Sequence, residues 1–134
     1  MKKNIVLPVV LGLGMAVCVV AQSESDFSGW MKDVAATKGK AKKAMDAKDN
    51  TEVATDASHL EMLFSNVAAY FSSHNMSDAA DMAKKQVGNA KDLASAAQAG
   101  DDAKMQSSMG AVNGMCGQCH MAHREGTPGN FKIK

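Results

Sequence analysis

Aromatic side chains are scarce in this 134-residue chain, which holds one tryptophan, one tyrosine and four phenylalanines. A core with so few rings must be filled largely by small and flexible side chains, and the chain is rich in alanine and in methionine, of which it has 11. Proline is scarcer still. Only Pro8 and Pro128 occur, so nothing between Gln22 and Thr127 forbids long helices. The formal charge is +1, which excludes nucleic-acid binding through a strongly basic face. The length suits one small domain with one core and excludes two. Cysteine is limited to Cys18, Cys116 and Cys119.

The first 21 residues read as an export signal. Lys2 and Lys3 form a basic start, an apolar run follows from Ile5 to Val20, and the small residues Val19 and Ala21 suit cleavage before Gln22. A membrane anchor is the competing reading, but the run is short for a bilayer and Pro8 and two glycines interrupt it. A lipoprotein would acylate Cys18, yet Val17 before it is bulkier than that chemistry usually tolerates. Losing Lys2 and Lys3 takes 15 basic residues to 13 against 14 acidic ones, for a mature charge of −1. Cys18 is lost as well. The mature protein then enters an oxidising compartment, expected to be the periplasm, with a single close cysteine pair.

Hydrophobic spacing is helical throughout the rest. Phe27, Trp30, Met31, Val34, Ala35, Ala41 and Met45 recur mostly three or four apart between about Asp26 and Lys48. Val53, Ala57, Leu60, Phe64, Val67 and Phe71 alternate strictly between steps of four and three. Ala83, Val87, Ala90, Ala94 and Ala97 repeat the spacing from Asp78 to Ala99, and Met105, Met109, Val112, Cys116 and Cys119 do so from Asp102 to about Arg124. The breaks have chemical causes. Asp49-Asn50 can stop one helix and cap the next. Asn75 offers a helix end and Ser77 a start. Gly100-Asp101 pairs a left-handed terminator with an N-cap aspartate. Nothing reads as a strand. Short connections make neighbouring helices antiparallel, which predicts an all-α, up-down-up-down four-helix bundle over residues 22–126 and a short irregular tail over 127–134.

The stretch "NGMCGQCHMAHREG" carries the chemistry. Cys116, Cys119 and His120 are three and four apart on one helix, so both sulfurs and the imidazole share a face. Cys-x-x-Cys-His is a pattern for covalent attachment of a c-type haem: two thioethers tether the porphyrin and the histidine reaches its iron. Export agrees, because that attachment takes place outside the cytoplasm. Three rivals are weaker. A redox disulfide would need a thioredoxin-like strand-and-helix setting. A zinc site from Cys116, Cys119, His120 and His123 requires adjacent cysteine and histidine to converge on one tetrahedral ion. An inert disulfide would staple a single helical turn and remove little chain entropy.

Four helices with Cys116-x-x-Cys119-His120 on the last, and Arg124 four residues after the histidine, resemble the cytochrome c′ family, the class II c-type cytochromes. The resemblance spans about residues 24–125 and has one sharp motif. It implies one haem c in one end of the bundle, His120 as proximal iron ligand, and Arg124 near the haem propionates. The chain departs from the family by continuing past Arg124 with "EGTPGNFKIK".

Function turns on the iron position opposite His120. Helix one begins at the end of the bundle where helix four stops, which places the stretch "GWMKDV" near His120. Met31 is inward-facing by spacing, and a thioether is a soft iron ligand that raises haem potential. Low-spin members of the family carry such a methionine early in helix one, followed by a basic residue similar to Lys32; high-spin members leave the position open and bind small gases. Met82 and His74 also fall near this end, and a methionine on an apolar face is usually packing. The same levelling brings Trp30, Phe64, Tyr70 and Phe71 to the haem end, where rings exclude water from the porphyrin. Lys38 to Lys43 form a basic patch that suits an acidic redox partner, although such runs are commonly just a solvated face. His59 and His123 are expected at the surface, His123 with the alternative of bonding a propionate.

These readings predict an exported one-electron carrier that is not an enzyme, with a redox partner protein, no nucleic-acid or membrane partner after signal cleavage, and, by resemblance, a homodimer through helices one and two. The alternatives are a five-coordinate nitric oxide or carbon monoxide binder, and a haem-free helical interaction module.

Overall fold

The computed structural model describes residues 22–134; the expected signal segment, 1–21, lies outside the described residues. Four helices follow in order: α1 (Glu24–Asp46), α2 (Asn50–Ser73), α3 (Ser77–Ala99) and α4 (Asp102–His123). They pack as the expected antiparallel bundle. No helix among the described residues is long and apolar enough to cross a membrane.

Each helix start has a local cause. Ser23 and Asp26 form a capping box at α1: the Asp26 amide donates to Ser23 Oγ (3.1 Å) and the Ser23 amide to Asp26 Oδ2 (2.9 Å). Asp49 accepts from the Glu52 amide and Asp101 from the Lys104 amide, as their side chains suggest. Gly100 ends α3 in the left-handed conformation (φ 66°) and Asn75 does so after α2 (φ 59°). Ser77 does not cap α3. That position is Met76, with no side-chain bond, and Ser77 is the first helical residue. Lys48, in the α1–α2 turn, pairs with Asp102 at the start of α4. One end of the bundle therefore holds two turns, and the other holds the α2–α3 turn with the start of α1 and the end of α4.

The tail corrects an expectation. Helix α4 stops at His123, and Arg124–Glu125 (β1) pairs antiparallel with Lys132–Ile133 (β2), Arg124 opposite Ile133 and Glu125 opposite Lys132. The segment is a folded hairpin and not an irregular extension. Gly126 (φ 99°) makes the reversal, and a Cβ there would lie 2.4 Å from the Asn130 carbonyl oxygen, so only glycine fits. The Lys134 amide donates to the His123 carbonyl (3.1 Å), which returns the chain to the end of α4.

The core has three parts. At the two-turn end, Ala41, Ala44, Ala57, Ala96 and Ala97 surround Met45, Val53, Leu93, Met105 and Met109. Midway, Val34, Leu60, Leu63, Phe64, Ala90 and Val112 meet. At the other end Tyr70 and Phe71 pack on Ala79, Ala80 and Ala83. Small residues along α3 let it approach α2 most closely of all the pairs, while α1 and α4 scarcely approach each other at all. That unclosed seam sets up the site.

Candidate functional site

A cavity of about 450 Å³ opens where α1 and α4 part, with α2 and α3 behind it and the hairpin at its edge. Its walls hold Cys116, Cys119 and His120 from α4 and Met31 from α1, so the structure brings the four principal sequence candidates to one space. The helical offset does this: residues 116, 119 and 120 fall on one face, and α4 turns that face into the gap. Both cysteines are free thiols and half-buried. A shallower polar groove at the opposite end, between Asn50 and Gly100, has no titratable side chain in its lining.

The aromatic candidates divide. Phe64 and Phe71 line the cavity. Trp30 does not: it packs half-buried against the adjoining apolar clusters. One residue before Met31, it sits about 100° around the helix, and levelling along the axis carries no information about that angle. Tyr70 also stays outside, with the Phe27 ring tilted against it (ring centroids 4.8 Å) and His74 stacked on it (4.1 Å). His74 is exposed at the end of α2, with Nδ1 2.8 Å from the Tyr70 carbonyl, and is absent from the cavity walls. Met82 is present there alongside Met31. Arg124 lines the cavity with its guanidinium stacked on the Phe131 ring at 3.9 Å.

Two expectations about polar residues are corrected. His123 is not at the surface: its side chain is 12% exposed, lines the cavity and has Nε2 3.2 Å from Asp78 Oδ2, an approach whose angle does not make a hydrogen bond. His59 is half-buried, with Nδ1 3.4 Å from Thr37 Oγ1. Lys38 belongs to the cavity more than to a solvated patch. Its Nζ lies 3.7 Å from Cys116 Sγ, and its position seven residues after Met31 marks it as part of the same face.

Sequence reasoning missed Gln86. It is buried at 4% exposure on α3, and its place three residues after Ala83 and four before Ala90, on the alanine face, was the available signal. Its Nε2 donates to the Val112 carbonyl (2.9 Å) and to Cys116 Sγ (3.2 Å), and its Oε1 accepts from Asn89 (2.9 Å). Cys116 is thereby held from two sides. Phe27 and Met115 were missed as well; Phe27 is one turn before Met31 on the same face.

Burial sets the protonation states. It pushes the Cys119 thiol up, with Cys116 and Asp78 adding to the shift, so the sulfur stays protonated. It pushes His120 down, and the positive charges of Arg124 and Lys38 push the same way, so the imidazole is neutral near pH 7 and offers a lone pair.

These features suit a tethered haem. The volume falls in the range of about 300–1,000 Å³ common for cofactor sites, the walls are mainly apolar, and two thiols and a neutral imidazole share one side with thioethers available opposite. Among the described residues no three His, Cys, Asp or Glu side chains are placed to hold a metal ion, so the zinc arrangement lacks its ligand set. Comparison with protein-family models, curated proteins and solved structures finds no match for this chain.

Proposed function

We propose that this chain is an exported c-type monohaem cytochrome that carries one electron at a time. The observation that carries the reading is the presence of Cys116, Cys119, His120 and Met31 on the walls of one apolar cavity in a rigid bundle. The space of about 450 Å³ is mainly apolar and more enclosed than the polar groove at the two-turn end, which suits a large apolar ligand. The resemblance of Cys116-x-x-Cys119-His120 and Arg124 to the cytochrome c′ family points to haem c as that ligand.

Cys116 and Cys119 would hold the group through two thioethers, His120 would offer its neutral nitrogen to the iron, and Met31 its sulfur. When bound, the haem supplies an iron that changes oxidation state by one electron. The chain's part is to keep both ligands fixed in both states and to exclude water. Phe64 and Phe71 line the cavity and lower its polarity, which favours the less charged reduced form. Beyond Lys38, the exposed Lys40, Lys42 and Lys43 on α1 form the positive surface on which an acidic redox partner would dock. A carrier of this kind needs no acid–base pair and is not an enzyme. The periplasm is the fitting compartment, and a homodimer through α1 and α2 follows from the same resemblance.

The test is the absorption spectrum of protein matured with haem-attachment machinery. Sharp low-spin reduced bands, with a weak sulfur-to-iron band in the red when oxidised, fit Met31 as sixth ligand. Met31→Ala should convert that spectrum to high-spin. A high-spin wild-type spectrum that shifts on adding carbon monoxide would replace the carrier with a gas binder, and a colourless protein would remove haem from the account.

A further inference from the structure

The tail beyond Arg124 has no counterpart in the resemblance, yet it is built into the cavity. Gly129, Phe131, Lys132 and Ile133 all line it. The hairpin is fixed at several points: Ile133 packs against the Phe71 cluster, the Lys134 amide bonds the His123 carbonyl, and the Asn130 amide bonds the Thr127 carbonyl at 2.8 Å. Phe131 gives Arg124 a flat platform. A guanidinium stacked by its face keeps its edge donors available for a planar acceptor.

The charges around the cavity are uneven. Of the titratable side chains there, α1 contributes Glu24, Lys32 and Lys38, α4 contributes Cys116, Cys119, His120 and His123, and the hairpin side contributes Arg124 and Lys132; α2 and α3 contribute none. His123 faces Asp78, and Lys38 reaches Cys116. Arg124 and Lys132, like Lys32 and Lys38 on α1, have no carboxylate within ion-pairing distance among the described residues; Glu125 stands opposite Lys132 in the hairpin register but outside that distance. On the hairpin side of an apolar cavity, Arg124 and Lys132 complement a flat apolar body bearing anionic groups.

We propose that the C-terminal hairpin is a wall of the cofactor cavity, and that its Lys132 joins Arg124, whose place near the propionates the resemblance already implies, in clamping the carboxylates of the bound tetrapyrrole. The inference rests on the haem reading and adds to it a carboxylate-binding role for Lys132 and for the segment that places it. Phe131 is a positioning residue acting through Arg124.

The experiment measures the midpoint potential of the matured full-length protein from pH 4 to 9. A cation beside a carboxylate favours its ionised form, so neutralising the cation raises the pH at which it protonates. Lys132→Gln should move the inflection of potential against pH upward by about one unit, Lys132→Arg should leave it in place, and Phe131→Ala should move it upward by freeing Arg124. Lys104→Gln, at the start of α4, should change nothing. An inflection that is unmoved or absent in wild type, Lys132→Gln and Phe131→Ala alike, in fully haem-loaded protein, overturns the clamp and leaves the carrier standing. Protein that attaches no haem overturns both.

Discussion

At the two-turn end of the bundle, alanines on α1, α2 and α3 bring the helices together around Leu93 and Met105, and the interior is filled. At the other end the same helical spacing continues, but the residues on it differ. Helix α3 presents Ala79, Ala80 and Ala83, α4 presents the small thiols of Cys116 and Cys119 where a leucine or phenylalanine would fill the space, and the rings of α2 line a cavity without occupying it. Periodicity decides which face is inside. Side-chain volume decides whether that inside is protein or is kept for something else. One end is filled by side chains, and the other leaves a cavity of about 450 Å³.

That division makes predictions, beginning with the largest effect. Leu93→Ala, at the filled end, should cost about 2–5 kcal/mol of unfolding free energy in denaturant titration, because it leaves a hole in a fully buried cluster. Met31→Ala in haem-free protein should cost about 1 kcal/mol or less, since its side chain is half-buried and already borders empty space. A loss at Met31 as large as that at Leu93 would contradict the distinction between the two ends. Gly100→Ala should cost about 1–2 kcal/mol, because it forces a left-handed conformation on a residue with a Cβ. Gly126→Ala should instead leave bundle stability nearly unchanged and expose the tail to limited proteolysis, since its Cβ collides only within the hairpin.

The smallest effect depends on pH. Asp56, on α2, is 6% exposed with Oδ2 lacking a hydrogen-bond partner; burial pushes its carboxyl up, and nearby Glu52 adds to the shift. A carboxyl raised in the folded state favours folding fully below its unfolded value, and loses that contribution as pH rises through the folded value. Asp56→Asn should therefore raise Tm at pH 7, with the gain shrinking as pH falls into the carboxylate range. A gain that persists unchanged in acid would remove Asp56 from the account.

Helices, caps and the site motif were legible because their causes are local. Gly100-Asp101 and Asp49 act within one turn, the four-three seam of α2 fixes its buried face, and a three-residue spacing places both thiols and the imidazole together. Distance along the bundle axis was legible too, which is why Met31 falls in the cavity with His120. Which neighbour each flank of a buried face meets across the bundle was not, so Trp30 and Tyr70 pack beside the cavity instead of lining it. The hairpin escaped because its strands have two residues each and are held by contacts with Phe71 and His123, which no local pattern records. Lys38 and Gln86 escaped because a charged or amide side chain in an apolar stripe reads as a surface residue until its partner, Cys116, is in place.

The central claim is that the space between α1 and α4 holds a haem tethered through two sulfurs. Intact-mass spectrometry of matured protein, beside Cys116→Ser and Cys119→Ser together, tests it most directly. Wild type should carry the added mass of one haem after denaturation, and the double variant should carry none. Wild type that denatures to the bare polypeptide mass would contradict it.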